Sequence, residues 1–92
     1  MNFLNYNGKF VGEGTPIIPA DNRGLRYGDG LFETIKYKNN EFVLVDDHLS
    51  RLWNGMSKLQ FERPKLFTPD FLEAEMKKLL AKNKLTSARI RV

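Results

Sequence analysis

Cysteine is missing from all 92 residues of this chain, and histidine occurs once, at position 48. Without a thiol there is no disulfide, thiolate nucleophile, thiolate metal site or redox switch. A single histidine rules out a multi-histidine metal centre, and the carboxylates are not spaced like a calcium loop. No apolar run approaches the roughly 20 residues of a membrane-spanning helix. The N-terminus does not follow a basic stretch with an apolar one, as a signal peptide does. A soluble, cytoplasmic protein with no membrane partner is expected. Internal repeats, low-complexity segments and linkers are also lacking.

Hydrophobic residues make up 41% of the sequence and the net charge is +4. This length suits one small domain with a modest core. The positive balance raises the question of nucleic acid. Its densest run, Lys77, Lys78, Lys82 and Lys84, is interleaved with Glu73 and Glu75. That pattern reads as a solvated helix face, so no nucleic-acid partner is expected.

Two hairpins stand out. Phe3–Tyr6 and Lys9–Val11 flank Asn7-Gly8, a pair suited to a tight turn with positive φ at both positions. Glu13–Pro19 reads as an extended connection, and Asp21–Gly24 as a turn. Gly30–Tyr37 predicts a strand with Leu31, Glu33, Ile35 and Tyr37 on one face and Phe32, Thr34 and Lys36 on the other. Asn39-Asn40 turns the chain into a second strand, Phe42–Val45, whose unbroken apolar run predicts burial on both faces.

A helix follows, capped by Asp46 or Asp47, with Leu49, Leu52, Trp53, Met56 and Leu59 as its apolar stripe. Thr68 and Pro69 mark the cap and first position of another. Leu72, Met76, Leu79 and Leu80 form its stripe, and Asn83 ends it. Ala88–Val92 alternates as a final strand. The fold class is α+β: a small, mostly antiparallel sheet with two helices packed on it.

Several residues could carry chemistry. The glycine-dense segment Arg23–Gly30 is either a plain turn or a site of close ligand approach. Arg51, near the start of its helix, either pairs with Asp47 or shares an anion with the helix end. His48 lies one turn earlier and faces roughly the same way; a capping or packing histidine is the plain reading. Glu33 lies on an apolar strand face, where a carboxylate needs partners or titrates upward, so it is either a hydrogen-bonded structural group or an acid or base. Tyr27 and Phe32 bracket the glycine segment, as core residues or as walls of a pocket.

Asn22-Arg-Gly-Leu-Arg-Tyr-Gly-Asp-Gly-Leu-Phe-Glu-Thr34, a hairpin, and then His48-Leu-Ser-Arg-Leu52 together resemble the signature of class IV aminotransferases, the fold type IV pyridoxal-phosphate enzymes. The group includes branched-chain and D-amino acid aminotransferases and aminodeoxychorismate lyases. The resemblance implies that residues 1–92 form the small N-terminal domain, and that the C-terminal cofactor domain is absent. It implies that Arg51 binds the phosphate of pyridoxal 5′-phosphate, and that Tyr27 and Phe32 line the substrate pocket. In such enzymes a second domain supplies the Schiff-base lysine. None of the lysines here falls where the family places it, so no catalytic residue is assigned.

Three readings follow. One is the front part of an aminotransferase acting on an amino acid and a 2-oxo acid, inactive by itself, with lyase chemistry as the variant. Another is a non-catalytic binding or assembly domain, and the last is a nucleic-acid binder. A domain parted from its neighbour should expose apolar surface, so a homo-oligomer is expected.

Overall fold

The hairpin turns come first in the chain, and both form as their residues dictate. The computed structural model describes residues 2–18, 21 and 30–92. Strands β1 (Phe3–Tyr6) and β2 (Lys9–Gly12) pair antiparallel, Tyr6 opposite Lys9. Asn7 and Gly8 have φ of 53° and 87°, the positive values the turn demands. Asn39 and Asn40 repeat this between β3 (Thr34–Lys38) and β4 (Glu41–Phe42), with φ of 52° and 64°. Helix α1 spans Val45–Lys58, α2 spans Pro69–Lys82, and β5 is Ala88–Arg91.

The fold is α+β, with two small antiparallel sheets rather than one. One is the β1–β2 pair; the other runs β4-β3-β5. The final strand therefore lies beside β3, Ile35 opposite Ile90. Period-two alternation turns Ile35, Tyr37 and Ile90 toward the helices, where Leu49, Met76 and Leu80 complete the core. Ile35 is fully buried, which is worth about 1.5–3 kcal/mol relative to exposure. Trp53 stacks on Phe67, centroids 5.2 Å apart, beside the two helices.

The two helix starts differ. At α2 the Thr68 hydroxyl accepts a hydrogen bond from the Phe71 amide at 3.1 Å, and Pro69 occupies the first helical position. At α1 the expected Asp46 or Asp47 cap does not form. Leu44 caps the helix, in the left-handed conformation (φ 55°, ψ 37°) and without a side-chain bond. The expected strand Phe42–Val45 correspondingly keeps only Phe42, since β4 is Glu41–Phe42. Val43 and Leu44 are exposed rather than buried on both faces, because the chain must leave the sheet edge at once to return over it. Leu59, expected in the α1 stripe, lies just past the helix end and is exposed.

Asn83 ties the first hairpin to α2. Its side-chain amide donates to the Phe3 carbonyl at 3.0 Å, and its oxygen accepts from the Phe3 amide. Within the lysine run, Lys77 pairs with Glu73 at 3.4 Å and Lys78 with Glu75 at 3.7 Å.

Candidate functional site

A buried carboxylate organises the helix side of the sheet. Glu33 precedes β3, and its backbone exchanges hydrogen bonds with Val92 at 3.1 and 2.9 Å, extending the β3–β5 ladder by one residue pair. That register puts its side chain on the face of Ile35 and Tyr37, toward α1. Leu31, two residues earlier, packs over Gly55 of α1; a methyl group at Gly55 would come within 3.4 Å of it. The segment leading to Glu33 is thus seated directly on the helix. Glu33 is 8% exposed, so its charge must be met by donors.

Those donors come from one side of α1. His48 and Arg51, three residues apart, project from the same helix face. Arg51 grips the carboxylate side-on: Nε donates to Oε2 and Nη2 to Oε1, both at 2.7 Å. His48 Nδ1 lies 2.7 Å from Oε1. An ionised carboxylate only accepts, so Nδ1 carries the proton and donates. The approach of Arg51 Nη2 to His48 Nδ1, at 3.4 Å, is then proximity between two donors. The Arg51 bonds first, and the His48 bond second, hold the Glu33 carboxyl well below its usual range, at about 2, against the opposing effect of burial. Glu33 in turn raises the already high pKa of Arg51.

A guanidinium has two bidentate edges. The Nε/Nη2 edge is spent on Glu33. On the Nη1/Nη2 edge, Nη1 makes no hydrogen bond among the described residues, Nη2 gives Glu33 only one of its two hydrogens, and the Arg51 side chain is 70% exposed. The cluster therefore presents a fixed, outward cationic edge.

The opposite sheet face carries a different set. Phe32 is 59% exposed, and the Arg91 guanidinium lies over its ring, 4.1 Å from the centroid. Lys36 stands directly across from Arg89. Like charges placed opposite one another oppose pairing unless an anion relieves them.

The expected site residues are thus divided. Arg51, His48 and Glu33 come together, whereas Phe32 joins Arg91 across the sheet. Tyr27 and the glycine segment before Gly30 lie outside the described residues. Because α1 starts at Val45, Arg51 sits in its second turn, set back from the helix end with which a shared anion was expected. Glu33, not Asp47, is the residue bonded to Arg51. The sequence marks each half separately, a carboxylate on an apolar strand face and two basic residues spaced three apart on the next helix, but not the bond between them. The Arg91–Phe32 contact had no local signal, since it depends on which strand lies beside β3. An acidic groove between α1 and α2, about 450 Å3 and lined by Asp46, Trp53, Asp70 and Glu73, contains none of the expected site residues. Among the described residues no group of three or more His, Asp or Glu side chains is placed to hold a metal ion.

Comparison with known proteins adds an independent line. The D-alanine aminotransferase of Listeria innocua is 25% identical over 84 residues, covering 91% of this chain and 28% of that protein. A bifunctional aminodeoxychorismate lyase / D-amino acid transaminase of Mycobacterium tuberculosis is 32% identical over 63 residues, covering 68% of this chain and 22% of that protein. The crystal structure of the Escherichia coli branched-chain amino acid aminotransferase superposes with a TM-score of 0.87 at 26% identity, covering 98% of this chain and 30% of that one. This chain thus spans under a third of the length of these relatives. The family model for amino-transferase class IV matches residues 30–92, from the segment before Glu33 to the end of the ladder that holds it, and the chain belongs to that family.

Proposed function

We propose that this chain forms the N-terminal part of a pyridoxal-phosphate-dependent aminotransferase, which exchanges an amino group between an amino acid and a 2-oxo acid. The observation that carries the proposal is the outward Nη1/Nη2 edge of Arg51, held by Glu33. A planar, permanently charged fork suits a phosphate, so the residues present fit that end of the cofactor. When bound, the cofactor supplies the electron sink for amino transfer. Phe32, and Tyr27 with it, would line the substrate pocket. Arg91, stacked on Phe32, and Lys36 and Arg89 beside it would meet a substrate carboxylate, which amino acids and 2-oxo acids share.

The Mycobacterium relative favours a second reading in which the parent enzyme releases its product as a lyase. Under either reading the protein works in the cytoplasm as a homo-oligomer, its exposed Leu4, Tyr6 and Phe10 being available for contact. The 92 residues by themselves are not expected to catalyse turnover. Pyridoxal 5′-phosphate should bind this chain reversibly, compete with inorganic phosphate, and lose affinity in Arg51→Ala. A cofactor absorbance band that survives dialysis, or amino-group exchange by the unaltered chain, would overturn the predicted inactivity. Binding indifferent to Arg51→Ala would overturn the phosphate role.

A further inference from the structure

We propose that Glu33 is the positioning residue of the phosphate site: it clamps one edge of the Arg51 guanidinium so that the other is presented, already ordered, to the phosphate. The inference rests on the phosphate role of Arg51 and goes beyond it, to the residue that makes Arg51 a directed ligand rather than a mobile charge.

The Arg51 side chain is 70% exposed, and a free arginine at such a position samples many rotamers that binding must freeze out. Both oxygens of Glu33 remove that freedom beforehand, through the bonds to Nε and Nη2. The clamp is itself fixed. The Glu33 backbone is locked into the β3–β5 ladder by two hydrogen bonds to Val92, its side chain is buried, and His48 Nδ1 takes a further position on Oε1. A carboxyl group held at a pKa of about 2 keeps its charge, and so its grip, at any physiological pH. The geometry is that of a site whose contacting group is oriented by a rigid second residue.

A competing effect makes the role testable by sign. Glu33 is an anion near a site for an anion. If it acted only through its charge, its removal would tighten phosphate binding. If it acts by orienting Arg51, its removal weakens binding. The Arg51 guanidinium lies between the two anions, and its positive charge offsets their repulsion, which leaves orientation dominant.

The experiment is a titration of the 92-residue chain with inorganic phosphate and then pyridoxal 5′-phosphate, followed by NMR of the Arg51 side chain at constant ionic strength. In the unaltered chain, phosphate should shift the Arg51 Nη resonances while its Nε–H stays protected by Glu33. In Glu33→Gln, one carboxylate oxygen becomes an amide donor facing other donors. Phosphate affinity should fall about tenfold and the Nε–H should lose protection, with the α2 and β5 amides unmoved. Arg51→Lys keeps the charge but has no second edge, so it should lose affinity similarly even if Glu33→Gln does not fold. Unchanged or tighter binding in Glu33→Gln, or unaltered affinity in Arg51→Lys, overturns the positioning role. Loss of binding in Arg51→Ala without loss in Glu33→Gln overturns the positioning role alone. No phosphate-dependent shift at Arg51 in the unaltered chain overturns the phosphate role and the positioning role together.

Discussion

The two helices of this domain are both 14 residues long and lean on the same core, yet they begin in opposite ways. Helix α2 has a threonine cap and a proline at its first position. Helix α1 has a leucine in the left-handed region, which costs a non-glycine residue roughly 1–2 kcal/mol, and no side-chain cap. The difference lies in what each helix must present. Helix α2 supplies apolar bulk, and local chemistry suffices to place it. Helix α1 must bring His48 and Arg51 onto Glu33 immediately after a two-residue strand, so its entry follows the needs of the cluster. The Glu33 bonds offset the missing cap.

The comparison is sharpened most strongly by acid. Glu33→Gln should destabilise the domain by on the order of 2 kcal/mol near neutral pH, after allowing for solvent screening at the exposed Arg51. The Glu33 pKa is depressed from 4.5 to about 2, so its contribution is fully present above about 4.5 and is lost as pH falls through about 2. Urea unfolding of both proteins from pH 7 to pH 2 should show the gap closing across that window. A gap independent of pH would mean that α1 is anchored by packing, as α2 is. Thr68→Ala should cost about 1 kcal/mol, whereas Asp47→Ala, which removes only a first-turn charge, should cost about 0.3–0.5 kcal/mol. Equal losses by thermal melting would erase the distinction between the helix starts. The smallest effect is expected at Leu44, which is 66% exposed. Leu44→Asn should stabilise the domain by about 0.5 kcal/mol, because asparagine tolerates the left-handed conformation. A loss of stability would show that the leucine side chain contributes more than its exposure suggests.

Much of this architecture was legible locally. Asn7-Gly8 and Asn39-Asn40 declare positive-φ turns, Thr68-Pro69 declares a helix start, and alternation along Thr34–Tyr37 declares which strand face is buried. The α1 start departs from the local rules, by which aspartates are good caps in isolation and an apolar run such as Phe42–Val45 reads as a strand. Neither rule registers a chain that must turn at Leu44 to carry a helix back over its own hairpin. At the site, Arg51 and Phe32 stood out as residues of a recognisable motif, but the bond from Arg51 to Glu33 spans 18 residues and no local rule predicts it.

The sequence by itself determined the α+β class, the two turns, the second helix with its cap, and the motif that places the chain among class IV aminotransferases. These depend on backbone preferences and periodicity, which act over a few residues. Tertiary structure alone decided that β5 lies beside β3, that Arg91 consequently covers Phe32, and that Glu33 holds Arg51 by one edge and leaves the other outward. Those outcomes depend on strand order and on which side chains burial forces together, and both are properties of the packed chain.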